Sequence, residues 1–396
     1  MNTEILKGIR ILDFSRILAG PYATRILADF GAEVIKVQTR KTANGAESNT
    51  SGYFSTWNRN KRSITLDMAR PGATELALRL VAICDVVVEN FSPRVMSNWG
   101  LTFDRFKQEK PDIVMLSMSG MGQTGPWKDF VAYGPTLQAL GGLTYLTGLE
   151  EGCPVGPGYA YADSVAGIYG AFAVLVALDY RESTGLGQYI DFSEYEAVCT
   201  LVGPALLDMA ANGADTSPPN GNQSDDERAA PHGCYKCLGK DKWCVIDVFT
   251  ETEWQALTDV LGNPVWSKAE RFSTLSKRRE HAKELDERLG IWTSKQPVEE
   301  VVELLQKAGV PAGIVQNAQD LADDPQLKQR DYFVHLQHPI LGDTISDRSP
   351  IRFSQSSSSN WKSSPLLGED NRYVYMDLLG LTDQEFASYI ENGIIA

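Results

Sequence analysis

Asp163 is followed by Ser164-Val165-Ala166-Gly167-Ile168-Tyr169-Gly170-Ala171-Phe172-Ala173-Val174-Leu175-Val176-Ala177-Leu178, an apolar run of helical length. A single carboxylate at the mouth of such a run has two uses. Its oxygens can take the first unpaired backbone N–H groups of the helix, as an N-cap. It can also stay ionised at the positive end of the helix dipole, attack an acyl carbonyl carbon and carry the acyl group covalently. The pattern predicts a buried helix beginning at Asp163, with Gly167, Gly170, Ala171, Ala173 and Ala177 keeping it thin enough for other backbone to approach. A second chemical set is Cys234-x-x-Cys237 with Cys244 and His232, since thiolate and imidazole bind zinc. It lacks the second paired motif of a zinc site, and the alternating strand pattern of Trp243 to Phe249 accounts for Cys244 as a small apolar residue, so no metal is expected. The basic run Asn58-Arg59-Asn60-Lys61-Arg62 is a solvated face unless it meets an anion.

These groups sit in a chain of 396 residues, long enough for two domains or one large elaborated one. Lys and Arg number 37 against 51 Asp and Glu, a formal charge of −14. That balance argues against nucleic acid or an anionic membrane as the main partner, and any polyanionic ligand needs a local basic pocket. The first residues, Met1 to Lys7, lack a long apolar segment, and no run of eighteen or more apolar residues stands out, so a soluble cytoplasmic protein is expected. Six cysteines in so long a chain do not make a disulfide framework.

The elements that must position Asp163 read as alternating strands and helices. Ile9 to Phe14, Glu33 to Val37, Asp85 to Phe91 and Asp112 to Met118 are strand patterns. Helices are expected over Tyr22 to Leu27 and from Pro71 through Ala82. The first turn, Ser15-Arg16-Ile17-Leu18-Ala19-Gly20-Pro21, is not the Gly-x-Gly-x-x-Gly of a dinucleotide site, but Pro21 suits the first turn of a helix whose N-terminus faces an anion. Ser119 to Trp127 is a glycine-rich loop. Ser193 with Glu196 predicts a capping box for a helix running to about Asn212. Residues 215 to 228 are polar and rich in Pro, Gly and Asn, which marks a linker or mobile loop and a domain boundary. Helical patterns then run from Glu253 to Leu261, Arg278 to Thr293 and Val298 to Ala308.

The block Ala162-Asp163-Ser164-x-x-Gly167, the turn Arg181 to Gln188 and the step Ile190-Asp191-Phe192-Ser193 resemble the central region of class III CoA-transferases, the family of formyl-CoA transferase and the carnitine dehydratase/bile-acid-inducible proteins. Leu27 to Val37, Asn90-Phe91, the loop Ser119 to Pro126, Ala230-Pro231-His232-Gly233 and Pro365-Leu366-Leu367-Gly368-Glu369 extend the resemblance over essentially the whole chain. It implies a catalytic role for Asp163. It also implies coenzyme A contacts from Ile17, Leu18, Ala19, Lys61, Arg62, Leu66, Asn90, Phe91 and Arg94, and a substrate-lining place for Gln123 and Tyr133. Gln38 and Thr39 stand where relatives often carry an acidic residue and an arginine, and Arg40 is the expected substitute.

The resemblance further implies an α/β fold: a doubly wound, mostly parallel sheet in a large domain built from both chain ends, with a smaller inserted α/β domain, in an interlocked dimer. The expected divisions are 1–214, 215–324 and 325–396. The implied reaction moves CoA from an acyl-CoA donor to a free carboxylic acid through an aspartyl intermediate, with CoA as acyl carrier and no metal. Succinyl-CoA is the expected donor and an aryl-substituted succinate the suggested acceptor. The loop 216–228 is read as a gate that keeps water from the intermediate. Two other readings stay open. A 2-methylacyl-CoA racemase or epimerase on the same fold would need a two-base pair, and the histidine that such enzymes carry near Tyr133 is missing. A non-catalytic subunit of a hetero-oligomer is the other, against which the presence of Asp163 speaks. The tandem glycine loop of the formyl-CoA:oxalate enzymes is also missing.

Overall fold

Along each predicted strand, successive apolar side chains point to opposite faces, so a sheet built from them needs cover on both sides. The computed structural model describes residues 4–148, 153–213, 221, 228–356 and 361–396. It contains two compact units, one of residues 1–145, 156–216 and 329–396 and one of residues 146–155 and 217–328.

The first unit is organised on a six-stranded parallel sheet of β1 (Arg10–Asp13), β2 (Glu33–Gln38), β3 (Arg62–Thr65), β4 (Val86–Glu89), β5 (Val114–Ser119) and β6 (Tyr189–Ser193). Their spatial order is β3-β2-β1-β4-β5-β6. Strand order therefore reverses between β1 and β4, the point where open α/β sheets leave a crevice at their carboxyl ends. Register places Leu12 beside Ile35 and Val87, and Val87 beside Met115, in one row. That row packs on α3 (Ala73–Ala82) and α5 (Phe103–Glu109) through Leu76, Leu80 and Phe106. The alternate row, Val34, Ile11, Val86 and Val114, faces α1 (Ala19–Asp29) and α8 (Tyr161–Thr184). Each such side chain, fully buried, stabilises the fold by about 1.5 to 3 kcal/mol, which makes these two rows the main tie between sheet and helices. Three short helices complete the N-terminal half: α2 (Gly52–Asn58), α4 (Arg94–Asn98) and α6 (Gly134–Leu140). The helix α7 (Leu143–Leu146) precedes α8, and α9 (Glu194–Cys199) follows β6 directly. β10 (Phe333–His338) and β11 (Gly342–Asp347) form a separate antiparallel pair in this unit.

α8 is where the small residues read from the sequence act. A Cβ on Gly170 would run into Met118 of β5, and one on Gly167 would press on Tyr22 and, at 3.1 Å, on Ala19 O. The missing side chains let α8 lie against both β5 and α1. It stops at Gly185, whose φ of 74° is left-handed and whose N–H donates to Arg181 O, a C-terminal cap that favours glycine. By length and composition α8 could cross a membrane, but its inner face, Ala166, Ala171, Val174 and Ala177, is buried in the core of this unit. Its outer face exposes Ile168, Phe172, Leu175 and Val176.

The helix after Ser193 differs from its prediction. Ser193 Oγ accepts from Glu196 N at 3.2 Å, but the reciprocal half of the capping box is absent among the described residues, and the helix breaks at Thr200–Val202 before resuming at Gly203. The second unit carries an antiparallel sheet of β7 (His232–Lys236), β8 (Trp243–Asp247) and β9 (Ala312–Ile314). Helices Glu251–Val260, Ala282–Thr293 and Val298–Lys307 pack on it through Leu257, Leu285 and Val301. Cys237 and Cys244 are buried in that core, with their sulfurs 3.6 Å apart.

Candidate active site

The expected start of α8 at Asp163 is displaced by one half-turn. The helix begins at Tyr161, its N-cap position is Ala160, and no side chain of its own caps it. Gln138 of α6, buried, does that work instead: its Oε1 accepts from Tyr161 N at 2.8 Å and from Ala162 N at 3.3 Å. Asp163 is therefore in the first turn without being the cap. It is half-buried, and burial raises its carboxyl above the ordinary aspartate value, partly offset by a backbone N–H. One carboxylate oxygen rests against Gly134 of α6, where a Cβ would overlap Asp163 Oδ2. A group held this way is ionisable, weakly solvated and free of a competing structural duty, which suits a nucleophile.

One turn along α8, Gly167 touches the start of α1, so the loop Ile17-Leu18-Ala19 lies next to the Asp163 end of the helix. Leu18 and Ala19 are buried and can offer only backbone, while Ile17 is exposed. Ile17 has φ of 66°, a left-handed conformation that costs a β-branched residue about 1 to 2 kcal/mol. Two side chains hold it there. Ile17 N donates to Glu47 Oε1 at 2.9 Å, and Asn90 clamps the preceding residue, accepting from Arg16 N at 2.7 Å and donating to Arg16 O at 2.8 Å. Strain of this kind persists where the surroundings impose it, often at ligand sites. Tyr53 of α2 completes the surround: burial first, then the charges of Asp163 and Glu47, push its phenol up to about 12.

Beside this loop, at the carboxyl ends of β1 to β4, is a cavity of about 400 Å³. Its lining includes the apolar Phe14, Val37, Leu66, Met68, Phe91 and Trp99 and the cations Arg16 and Lys41. Phe91 and Trp99 meet edge to face at 5.3 Å. This slot, with cations and Asp67 at the open ends of the strands, lies at the topological switch point, where open α/β sheets bind their ligands.

Of the residues predicted to hold coenzyme A, Leu66 and Phe91 line this cavity, Ile17, Leu18 and Ala19 follow directly on its Arg16 without lining it, and Asn90 braces the loop through Arg16. It does not bring Lys61 and Arg62 there. Lys61 is wholly buried and donates to Asp13 Oδ2 at 3.0 Å, Pro21 O at 2.9 Å and Asn58 Oδ1 at 2.9 Å, so all three of its protons are committed within the protein. Burial opposes the charge of Asp13, but Lys36, Lys61 and the hydroxyls of Ser15 and Thr24 together outweigh it and hold that carboxyl at about 2, while burial pushes the Lys61 ammonium down to about 7 against the pull of Asp13. Asp13 also takes Ser15 N at 2.8 Å and Thr24 Oγ1 at 2.8 Å, while Lys36 Nζ donates to Ser15 O at 2.5 Å. Lys61 thus braces the turn from below and has no proton left for a phosphate. Arg62 opens β3 at the amino edge of the sheet, bonds Glu33 and Asp370 at 2.8 Å each, and stacks 4.0 Å over Tyr373. A polar cleft of about 630 Å³ at that edge includes Arg62 and Glu33 in its lining.

Arg40 is exposed and outside the 400 Å³ lining, where Lys41 stands instead, paired to Asp67 at 2.9 Å. Arg94 is largely exposed and 3.6 Å from Asp129. Gln123 is tied to β5 and β6, through Ser119 at 3.3 Å and Asp191 at 2.8 Å. Tyr133, just before α6, is exposed. The predicted gate, 216–228, lies outside the described residues apart from Gly221 and Arg228.

Sequence reasoning missed Arg16, Glu47, Tyr53, Gly134, Gln138 and Glu194. Glu194 is 6% exposed, and burial together with the negative charge of Asp163 pushes its carboxyl up to about 8. An acidic residue placed directly after Ser193 reads from sequence as an ordinary first-turn glutamate, so no local signal marked it.

The fold and this crevice define a doubly wound α/β protein with a half-buried aspartate in the first turn of its longest described helix. Residues 6–371 match the CoA-transferase family III, and the chain belongs to that family and is an enzyme of its class. It is 32% identical over 389 residues to the succinyl-CoA–D-citramalate CoA-transferase of Chloroflexus aurantiacus, covering 96% of each chain. It is 33% identical to the formyl-CoA:oxalate CoA-transferase of Streptomyces avermitilis, over 99% of this chain and 100% of that one. A CaiB/BaiF family protein from Brucella suis has the same fold, with a TM-score of 0.86 and 31% identity over 96% of this chain and 100% of that one.

Proposed function

We propose that this enzyme moves CoA from succinyl-CoA to a substituted dicarboxylic acid through covalent intermediates on Asp163. The observation that carries the reading is the release of Asp163 from capping: Gln138 satisfies the helix end, and the carboxylate sits half-buried against Gly134 beside the 17–19 loop. In this mechanism an Asp163 oxygen attacks the thioester carbonyl carbon. The C–S bond breaks and CoA leaves as its thiolate, giving an aspartyl-succinyl anhydride. The thiolate then attacks the aspartyl carbonyl, releasing succinate and forming an aspartyl-CoA thioester. The acceptor carboxylate attacks that thioester, and the returning thiolate completes the acyl-CoA product and regenerates Asp163. Thioester energy is kept at each step, provided water is excluded.

CoA would lie in the 400 Å³ cavity with Phe91 and Leu66 along its apolar part, Arg16 and Lys41 toward phosphate, and the backbone of Ile17 to Ala19 near its thiol arm. Gln123 and Tyr133 are assigned to the acyl side. The relative that takes D-citramalate, by its name, supports a dicarboxylate acceptor, and the aromatic Tyr53 and Tyr159 near Asp163 suit an aryl-succinate. The exposed apolar face of α8 supports burial against a second copy of the chain, in an interlocked dimer. No histidine acts on Asp163 among the described residues, which favours this mechanism over two-base racemisation.

The test is incubation with succinyl-CoA alone. An adduct that hydroxylamine cleaves should map to the peptide containing Asp163 and be missing in Asp163→Asn, whose transfer rate should fall by about 10⁴-fold. A panel of dicarboxylic acids, read by mass spectrometry of the CoA products, then identifies the acceptor. Wild-type transfer by Asp163→Asn would end the reading.

A further inference from the structure

A second buried carboxyl, that of Glu194, lies within the electrostatic reach of the proposed nucleophile, and the proposed mechanism makes no use of it. Glu194 is the first residue of α9, and Val198, one turn on and on the same helical face, packs with Ala162 of α8 and Leu137 of α6. That packing carries Glu194 toward the first turn of α8, where Asp163 lies. Glu194 is 6% exposed, and no hydrogen bond to its carboxyl is found among the described residues. A buried carboxylate without a cation or donor is strongly disfavoured, whereas the neutral acid is tolerated.

The charged groups around it are few. α6 has no ionisable side chain between Gly134 and Leu140, α8 brings Asp163 and Tyr161, and α9 itself carries Tyr195, Glu196 and Cys199. Asp191 of β6 is engaged by Gln123 N at 2.8 Å. Of all these, Asp163 alone acts on Glu194, and it acts to keep the Glu194 proton in place. Burial and the charge of Asp163 thus push the Glu194 carboxyl up to about 8, because a second negative charge would be added in a weakly solvated place.

We propose that Glu194 is a positioning residue for Asp163: it stays in its acid form beside the nucleophile, so that the site carries one negative charge when a carboxylate substrate enters, and its ionisation closes the site to that substrate. The proposal rests on Asp163 as nucleophile. Its physical sense is charge economy, since the donor acid, the acceptor acid and the CoA thiolate are all anions that must come near Asp163. A neutral acid also offers an O–H to oxygens there, as a buried protonated carboxyl can.

Two measurements test it. The first is exchange of ¹³C-labelled succinate into succinyl-CoA, followed by mass spectrometry from about pH 6 to about pH 9.5, with enzyme-free controls for hydrolysis. Wild type should lose exchange as pH rises through about 8. Glu194→Ala should be slower at neutral pH by about tenfold, the worth of one neutral hydrogen bond. Glu194→Gln, neutral and of the same shape, should recover most of that rate and lack the alkaline fall. The second is ¹³C NMR of protein labelled at glutamate carboxyls, without substrate. One resonance, absent in Glu194→Gln, should titrate far above the others and move lower in Asp163→Asn. An alkaline limb unchanged in Glu194→Gln, or a Glu194 resonance titrating with the ordinary glutamates, would overturn the proposal. Absence of exchange in wild type at every pH would instead refute the donor and nucleophile reading, and the NMR titration would still decide the state of Glu194.

Discussion

Gly134→Ala separates the position of the nucleophile from the stability of the fold. Gly134 is the first residue of α6, and its φ is not among the left-handed ones, so alanine fits its backbone. The added methyl would meet Asp163 Oδ2 far inside contact distance and Ala160 Cβ at an ordinary 3.4 Å. The atom in the way is the end of a side chain, so the carboxylate moves and the backbone stays. Replacing glycine where alanine is allowed stabilises by about 0.4 to 1 kcal/mol, which offsets the cost of turning one side chain off its preferred rotamer, about 0.5 to 1.5 kcal/mol. Thermal unfolding should therefore shift by only about 1 °C in either direction, since at about 2.1 cal/mol/K of unfolding entropy per residue a chain of 396 residues moves by roughly 1.2 °C per kcal/mol. Transfer should not survive so well, because displacing a reacting group by about 1 Å costs about 10²-fold. The assay is succinate exchange into succinyl-CoA, with adduct formation at Asp163 quantified by hydroxylamine release. Exchange within threefold of wild type in a normally folded Gly134→Ala protein would refute the seating of Asp163 against α6.

Lys61→Met should cost about 3 to 5 kcal/mol of stability, since it leaves Asp13 buried with a partner removed; urea denaturation measures it, and unchanged stability with weakened CoA-ester binding would restore Lys61 as a phosphate ligand. Glu194 holds in the folded state, up to about pH 8, a proton that an ordinary glutamate releases near 4.5. Stability should accordingly fall as pH rises through that window. Glu194→Gln should then raise the melting temperature at pH 8 and leave it unchanged near pH 4, and equal curves at both would contradict the assignment. Phe172→Glu places a charge on the outer face of α8, where Phe172 is exposed; light scattering should show the proposed dimer dissociating to single chains, and an unaltered mass would refute an interface on this face.

The sequence by itself determined the strands, since runs such as Val86-Val87-Val88 must be buried on both faces, and it determined the closeness of α8, since Gly167 and Gly170 have no side chain to hold neighbours away. It also singled out Asp163, the 17–19 turn and the Asn90-Phe91 pair, because motif spacing survives in linear order. The fate of charged side chains was another matter. Lys61 and Arg62 are adjacent cations in the sequence, and nothing local told that one would be drawn to Asp13 beneath the turn and the other to Glu33 and Asp370 at the amino edge. Each partner comes from a distant part of the chain, and pairing a buried charge outweighs any preference its neighbours could express. The same holds for Asp163. Whether a carboxylate at a helix end is a cap or a free group depends on what else reaches the first N–H groups, and here that is Gln138 from another helix. The carboxyl of Glu194 is pushed up to about 8 for a related reason: a pKa is set by solvent access and neighbouring charge, and both exist only after α6, α8 and α9 have packed.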